Sequence, residues 1–335
     1  ATRPGSTRHT ANMPRTHGLS KDTWRRTLLV HDQGIAKGTH KGYSSARAHF
    51  QQWCCAERVR ITSRAPVPEP ILCAYAAAMA GVCAGGTARS RLAGLHFWHD
   101  RQGLAWQGSP RLLRILKAVN NAAPPSTRRD ERAPVTEAML DEALKRLDPA
   151  RPFDVCVAAA MLVCFWCQLR LGEILSLTRH YDFDALPTRK GLRLRADAGG
   201  ALDRVTSALW LPRTKVERNG VWIWIARHHN DPSYALQDHI RVNKIAMEDP
   251  LFAYRHDDSG ELIALTKSAF LGRLNEIWSA CGMQRFTGHS FRIGGTTALL
   301  RAGVDPEVVK MAGRWKSDSF LRYWRALDQI ISAHM

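Results

Sequence analysis

The stretch FTGHSFRIGGTT, residues 286–297, places an imidazole and a guanidinium three positions apart, at His289 and Arg292. On a helix, side chains three positions apart lie on the same face, so both groups could approach a single phosphate. A helix start with two solvated polar residues would produce the same pattern. The rest of the chain therefore decides between these two interpretations.

The chain of 335 residues is strongly basic, with a net charge of +18 and a pI near 10.1. Residues 1–130 hold 20 Lys and Arg against 6 Asp and Glu, whereas residues 131–335 hold 28 against 24. Such an excess usually indicates a polyanionic partner, either nucleic acid or an anionic membrane surface. The sequence has no apolar run of about 18 residues and no signal peptide. We therefore expect nucleic acid rather than a membrane as the partner, and no secretion.

The eight cysteines show no disulfide framework. Cys164 and Cys167 form a C-x-x-C pattern, but it lies within the apolar segment 155–169, which predicts a buried core helix, and no second ligand pair accompanies it. We therefore predict buried free thiols, no metal and no cofactor. A reducing compartment is expected, namely the nucleus in a eukaryote and otherwise the cytoplasm.

Helical periodicity dominates the N-terminal part. After a basic flexible arm at residues 1–20, a DNA-clamping helical bundle is predicted over residues 21–122. Its four expected helices span residues 39–59, 68–86, 87–103 and 109–122. Thr39 and Thr87 are predicted N-caps, the Gly85–Gly86 pair is expected to end the second helix, and Pro110 to begin the fourth. We assign DNA contact collectively to the basic residues on these helices: Lys41, Arg47, Arg89, Arg91, Arg111, Arg114 and Lys117.

A linker is predicted at residues 123–134, where prolines and charges replace the apolar periodicity. A second domain, residues 135–335, follows. Its predicted helices span 135–148, 152–169, 268–282, 290–303, 305–313 and 317–335, with one helical turn after Arg170. Its predicted strands span 190–197, 208–215 and 221–228, and Asn219-Gly220 predicts a hairpin between the last two. The expected fold class is mainly α with a small antiparallel β-sheet (α+β).

The second domain supplies the groups that metal-free phosphodiester chemistry requires. The chain lacks both the clustered carboxylates of a two-metal nuclease and a G-x-x-x-x-G-K-[ST] loop. Without a metal, the charge on a pentavalent phosphate needs guanidinium groups, and the reaction needs a nucleophile, a base and an acid. The candidates, in chain order, are Arg170, Lys215, His289, Arg292, Trp315 and Tyr323, with Glu173 placed to hold Arg170.

These residues resemble the catalytic set of the tyrosine recombinase (phage-integrase-like) family, in which Arg, Lys, His-x-x-Arg, His or Trp, and Tyr follow in this order. The resemblance covers roughly residues 21–335, and HSFRIGGTTAL…AGRWKSDSFLRYWR is its most specific part. That part is also similar to recombinases of eukaryotic mobile elements such as Cryptons and DIRS-type retroelements. The resemblance implies a double-stranded DNA substrate and a homotetramer, a dimer of dimers, on that DNA.

The resemblance also implies a role for each residue. Arg170 and Arg292 clamp the nonbridging oxygens of the scissile phosphate. Tyr323 attacks phosphorus, giving a 3′-phosphotyrosyl link and a free 5′ hydroxyl. Lys215 is then the general acid, and His289 takes part in proton transfer with the tyrosine.

Two further positions follow from the same resemblance. Trp315 stands where many members have histidine, and Glu173 orients Arg170. Trp315 precedes Tyr323 by eight residues, whereas many members have nine. The loop and helix before the tyrosine are therefore expected to start differently.

Each candidate residue also has a purely structural interpretation. Arg170 could complement a helix dipole, Lys215 could be a solvated loop lysine, and Trp315 and Tyr323 could be core aromatics. Gly294 and Gly295 are expected to allow close backbone approach, either to DNA or to the helix that carries Tyr323.

Three functions are compatible with this set. The first is a site-specific recombinase or integrase of a mobile element. The others are a non-catalytic DNA-binding protein descended from such an enzyme and a type IB topoisomerase. The intact residue set and the separate helical bundle favour the recombinase.

The charge distribution generates a first prediction. The N-terminal part carries most of the positive charge, so binding to duplex DNA should release many counterions from the DNA. Because the free energy gained from this release shrinks as the salt concentration rises, affinity should fall steeply with salt. A plot of log Kd against log salt concentration measures this slope. A flat response would rule out an electrostatic clamp.

Overall fold

The computed structural model describes residues 18–128, 132–194, 207–215 and 217–323. The chain divides into two compact units, residues 1–130 and 131–335. The described residues form eleven α-helices and two small antiparallel sheets, which confirms the predicted fold class. The predicted arm lies outside the described residues except for residues 18–20, as does the tail after Tyr323. A helix long and apolar enough to cross a membrane is absent from the described residues.

The described residues of the first unit form five α-helices, one more than the sequence predicts. They are α1 (Lys21–Gln33), α2 (Lys37–Ala56), α3 (Glu69–Ala77), α4 (Gly85–Gln102) and α5 (Pro110–Asn121). Helix α2 packs against α4, and α5 packs against both α3 and α4. Phe50, Leu72, Tyr75 and Leu95 are fully buried in the core between them. The helical periodicity noted in the sequence therefore marks the buried faces of α2 to α5, whereas α1 has no buried residue.

Three predicted helix boundaries in this unit are wrong. Helix α3 ends at Ala77, and Gly85 begins α4 rather than ending α3. The glycine at position 85 is required by packing and not by a helix end, because a Cβ there would lie 2.3 Å from Oδ1 of Asn120 on α5. Neither Thr39 nor Thr87 is an N-cap, since α2 and α4 begin after Ala36 and Ala84. Gly103 and Pro110 do end and begin helices as predicted.

The second unit surrounds one buried helix. Its helices are α6 (Glu137–Arg146), α7 (Pro152–Trp166), α8 (Pro232–Asn243), α9 (Lys267–Ala280), α10 (Gly288–Arg301) and α11 (Pro306–Ala312). Twelve of the fifteen residues of α7 are buried, which matches the predicted core helix. Helices α6, α8 and α10 all pack on it. Short 3-10 helices at Leu171–Glu173 and Asp318–Tyr323 carry candidate site residues.

The described strands of the second unit differ in extent from the predicted ones, of which residues 195–197 lie outside the described part of the chain. They are β1 (Leu192–Arg193), β2 (Ser207–Leu211), β3 (Val221–Ile225), β4 (Ala253–Arg255) and β5 (Leu262–Ala264). The first three form one antiparallel sheet in the order β1-β2-β3, and β4 pairs with β5. The connection between β2 and β3 spans residues 212–220, because Pro212 has no N–H with which to extend the ladder. Helix α8 and strands β4 and β5 are absent from the sequence prediction.

The glycine pair of α10 lies against α7 and not against the segment that carries Tyr323. A Cβ at Gly294 would lie 2.0 Å from the carbonyl oxygen of Val135, and a Cβ at Gly295 would lie 1.9 Å from that of Phe165. The described structure thus corrects the expected partner of the pair. Close approach of α10 to the end of α7 brings the residues of both helices into one site.

This packing generates a second prediction. Gly295→Ala should lower the free energy of unfolding by about 1–3 kcal/mol or more, because the backbone at Phe165 must move to admit the methyl group. Chemical denaturation followed by circular dichroism measures the change.

The matched control is Gly272→Ala on α9, where a Cβ meets no atom within 4 Å. That substitution should raise the free energy of unfolding by about 0.5–1 kcal/mol, because alanine restricts the unfolded chain. Equal effects at the two positions would contradict the packing argument.

Candidate active site

Arg170 lies in the turn that follows α7. Gln168 has a positive φ of 51°, which ends the helix and directs the chain into the 3-10 helix Leu171–Glu173. The Arg170 side chain is 30% exposed, and its Nη1 donates to Glu173 Oε1 at 2.9 Å. The backbone N–H of Arg170 donates to the other oxygen of Glu173 at 3.0 Å. Glu173 therefore holds both the main chain and the guanidinium of Arg170.

Arg314 is a second partner of this carboxylate. Its Nη2 lies 3.0 Å from Glu173 Oε2, and the two side chains are only 10% and 4% exposed. Arg314 is thus as much a part of the site as the predicted residues. The sequence analysis did not select it, because an arginine beside Trp315 has no spacing signal of its own.

Arg292 is fully buried on α10. Its Nη1 donates to the carbonyl of Gln168 and its Nη2 to the carbonyl of Gly313, so it joins the ends of α7 and α11. The Trp315 ring covers it, with 3.8 Å between the guanidinium carbon and the ring centroid. Burial, followed by the positive charge of Arg170, lowers the pKa of Arg292 to about 9.

Trp315 has a mainly packing role in this arrangement. Besides stacking on Arg292, its ring lies 5.7 Å from that of Tyr323. Its indole N–H donates to Gln168 Oε1 at 3.4 Å, a long hydrogen bond. Gln168, which the sequence analysis also missed, accepts a further hydrogen bond from Thr296 at the same oxygen. Its buried side chain therefore connects α7, α10 and the loop after α11.

His289 and Tyr323 form the closest pair of reactive groups. Nε2 of His289 lies 3.0 Å from the Tyr323 hydroxyl, and the tyrosine is 8% exposed. Thr297 on α10 donates to the Tyr323 carbonyl at 3.0 Å, which holds the main chain of the tyrosine against α10. The described part of the predicted helix 317–335 is the 3-10 helix Asp318–Tyr323. A left-handed turn at Arg314, with φ of 55°, precedes this helix. The different start expected from the eight-residue spacing stays a prediction.

The electrostatic environment favours a neutral His289. Burial lowers its pKa below the usual 6.5, and the charges of Arg132, Arg292, Arg170 and Lys215 lower it further. A neutral imidazole accepts a proton at one nitrogen. At neutral pH the geometry and the charge state therefore both allow Tyr323 to donate to His289.

Lys215 is exposed in the connection between β2 and β3, as predicted for a loop lysine. Its charge acts on His289, so it belongs to the same group of cations. Lys316, one residue after Trp315, lies 3.6 Å from Glu217 and joins this connection to the loop after α11. The predicted residues of the second unit, Arg170, Glu173, Lys215, His289, Arg292, Trp315 and Tyr323, are thus brought together.

The predicted DNA-contacting residues of the first unit lie on α2, α4 and α5. All are exposed except Arg91, which is half-buried. Arg47 lies over the Trp98 ring at 4.9 Å, and Arg89 donates to Asn120 Oδ1 at 3.0 Å. Their contact with DNA stays a prediction. In the described parts of the chain, no group of three or more His, Cys, Asp and Glu side chains is arranged to hold a metal ion.

The geometry can be compared with known proteins. No protein-family model and no curated protein sequence matches the chain. Solved structures do match. The Tn1549 transposon integrase in complex with circular intermediate DNA aligns at a TM-score of 0.55 and 15% identity, over 93% of this chain and 97% of that one. The XerH site-specific recombinase in a post-cleavage complex aligns at 0.53 and 14%, over 80% of this chain and 72% of that one.

The chain has the tyrosine recombinase fold. The resemblance inferred from the motifs is confirmed at this level. The finer similarity to Crypton and DIRS-type recombinases stays a prediction. In the present chain the second unit supplies the buried guanidinium of Arg292, the His289–Tyr323 pair and the loop lysine Lys215.

The surroundings of His289 generate a third prediction. Because burial and neighbouring cations both disfavour the imidazolium, its titration midpoint should lie below 6.5. Arg132→Gln should raise the midpoint, because Arg132 lowers the pKa of His289 more than any other neighbouring cation. Arg132 is exposed, so the substitution disturbs little packing. NMR titration of the imidazole protons measures both.

The control is Lys190→Gln, whose ammonium is held by Glu248 at 2.8 Å. It should leave the midpoint unchanged. A wild-type midpoint at or above 6.5 would contradict the charge environment described here.

Proposed function

We propose that the chain is a site-specific DNA recombinase or integrase that cuts and rejoins DNA through a 3′-phosphotyrosyl intermediate. The observation that carries the proposal is the 3.0 Å contact between the Tyr323 hydroxyl and His289 Nε2, next to the buried Arg292. This contact supports the view that a nucleophile, a neutral base and a guanidinium act within one site.

Tyr323 is the nucleophile in this proposal. Its oxygen attacks phosphorus while its proton passes to Nε2 of His289. A bond forms between the tyrosine oxygen and phosphorus, and the bond from phosphorus to the 5′ oxygen breaks. The low pKa of His289 keeps the imidazole unprotonated before the step, as a general base requires.

Lys215 is the general acid for the leaving 5′ oxygen. An exposed ammonium on a loop can reach a DNA groove, and the Lys316–Glu217 ion pair limits how far the loop departs from the site. Proton donation by Lys215 gives a free 5′ hydroxyl. Attack by a 5′ hydroxyl on the phosphotyrosyl bond reverses the chemistry and rejoins the strand.

Arg170 and Arg292 stabilise the charge that develops on the nonbridging oxygens. Each Nη of Arg292 gives one N–H to a carbonyl and retains a second. Among the described residues near this pair, Glu173 is the one carboxylate that touches a site arginine, and it is shared with Arg314. An excess of positive charge in a partly buried site is costly unless an anion binds. A scissile phosphate is the anion that the proposal supplies.

The proposed partner is double-stranded DNA, contacted by the seven basic residues predicted for this role on α2, α4 and α5. XerH is described as bound to a palindromic substrate, and a palindrome matches two-fold related protomers. We extend this to a homotetramer, a dimer of dimers, for the present chain. The phosphotyrosyl bond conserves the energy of the phosphodiester, so the proposed cycle uses no ATP and no cofactor. We place the protein in the nucleus of a eukaryotic host or otherwise in the cytoplasm.

The active-site geometry favours this proposal over a non-catalytic DNA-binding protein. A binding module gains nothing from a fully buried arginine or from a tyrosine hydroxyl aligned with a neutral histidine. A type IB topoisomerase shares the chemistry, and it would act without a defined site. Site dependence of the covalent adduct therefore separates it from a recombinase.

Covalent trapping supplies the fourth prediction. On nicked suicide duplexes with a randomised central sequence, the wild type should accumulate a covalent adduct through a 3′ phosphate, because the nicked end diffuses away. Tyr323→Phe should form none. Denaturing gels measure the adduct, and sequencing of the trapped DNA identifies the preferred site.

Tyr234→Phe is the matched control, since that tyrosine is exposed on α8. It should form the adduct as the wild type does. Adduct formation by Tyr323→Phe would exclude Tyr323 as the nucleophile. The absence of any wild-type adduct would favour the DNA-binding alternative, and an adduct without sequence preference would favour a topoisomerase.

A further inference from the structure

Arg314 has an unfavourable backbone conformation at the edge of the site. Its φ of 55° lies in the left-handed region, which residues with a Cβ rarely adopt. It stands between Gly313, whose carbonyl accepts from Arg292, and Trp315, whose ring covers Arg292. Such strained residues persist where surrounding contacts hold them, and they are frequent at functional sites.

The contacts that hold Arg314 lead to Glu173. Nη2 of Arg314 donates to Glu173 Oε2 at 3.0 Å, and Nη1 donates to the carbonyl of Ala312 at 3.3 Å. Its Nε is buried and has no hydrogen-bond partner among the described residues. The opposite oxygen of Glu173 accepts from Arg170 at 2.9 Å. One buried carboxylate therefore bridges two arginines from distant parts of the chain.

The two arginines differ in how firmly they are held. Arg314 is 10% exposed, whereas Arg170 is 30% exposed and reaches towards solvent. With Arg314 present, the carboxylate is fixed in one orientation and its negative charge is divided between two cations. Without Arg314, Glu173 would be a buried carboxylate with Arg170 as its main counterion, and it would draw that guanidinium inward.

We propose that Arg314 is a positioning residue for Arg170. Acting through Glu173, it fixes the direction of the Arg170 guanidinium and leaves the positive charge of Arg170 available to the scissile phosphate. The left-handed turn at Arg314 also directs Trp315 onto Arg292, so one residue aligns both guanidinium groups. This role rests on the proposed function, because it concerns the phosphate of the cleaved DNA.

The main test variant is Arg314→Gly. Glycine adopts positive φ without strain, so the turn is retained while the guanidinium is lost. The rate of adduct formation at saturating suicide duplex should fall by at least about tenfold, since a misplaced guanidinium loses transition-state stabilisation. The DNA concentration that gives half-maximal rate should stay within about twofold of the wild-type value, since Arg314 does not hold the duplex.

Two further variants separate positioning from a merely structural role. Arg314→Lys retains a charge that can reach Glu173, and it should recover part of the lost rate. Arg58→Gly is the matched control, because Arg58 is an exposed arginine with the same φ of 55°. It should leave the rate unchanged. Thermal denaturation of each variant shows that the rates refer to folded protein.

A double-mutant cycle decides whether Arg314 acts through Glu173. In a Glu173→Gln chain, Arg314→Gly should cause less than about a twofold further loss of rate, because the connection to Arg170 is already broken. Effects that multiply, or a wild-type rate for Arg314→Gly, would overturn the inference while leaving the proposed function intact. If the wild type itself forms no adduct with any duplex, the proposed function fails and the inference fails with it.

Discussion

A guanidinium buried where three chain segments meet is the constraint on which the rest of the second unit depends. Arg292 is removed from solvent, and burial of an unpaired charge costs several kcal/mol. The cost is offset because carbonyls at Gln168 and Gly313 accept from its two Nη groups and the Trp315 ring covers it. The ends of α7 and α11 must therefore converge on α10. Where they converge, the side chains of the site are brought together.

The backbone around Arg292 is adapted to this convergence. Gly294 and Gly295 let α10 approach α7 until backbone and side-chain atoms would overlap with a Cβ. Gln168 and Arg314 both adopt positive φ, one at the end of α7 and the other just after α11. Positive φ in a residue with a side chain is strained, and here it turns each carbonyl-bearing segment towards the same guanidinium. Stability is thus given up at the positions that shape the site.

The convergence of these segments also gathers positive charge around His289. Several cations surround His289 and lower its pKa, and the neutral imidazole then faces the hydroxyl of Tyr323. The same cations are only partly compensated by the shared carboxylate of Glu173. A site with this balance suits an anion whose charge increases during reaction. The likeness to DNA-bound recombinases concerns the fold.

The sequence by itself determined the fold class, the buried core helix and the candidate site residues, because apolar periodicity and an ordered set of polar residues are local properties of the chain. It did not reveal Arg314 or the buried amide of Gln168, since neither has a distinctive spacing. It also misplaced the start of α4 and the partner of the glycine pair, because both depend on how closely a second helix approaches. Which carboxylate serves which arginine was likewise decided by tertiary structure. That choice requires the segment after α7 to meet two segments that lie more than a hundred residues further along the chain, around one buried charge.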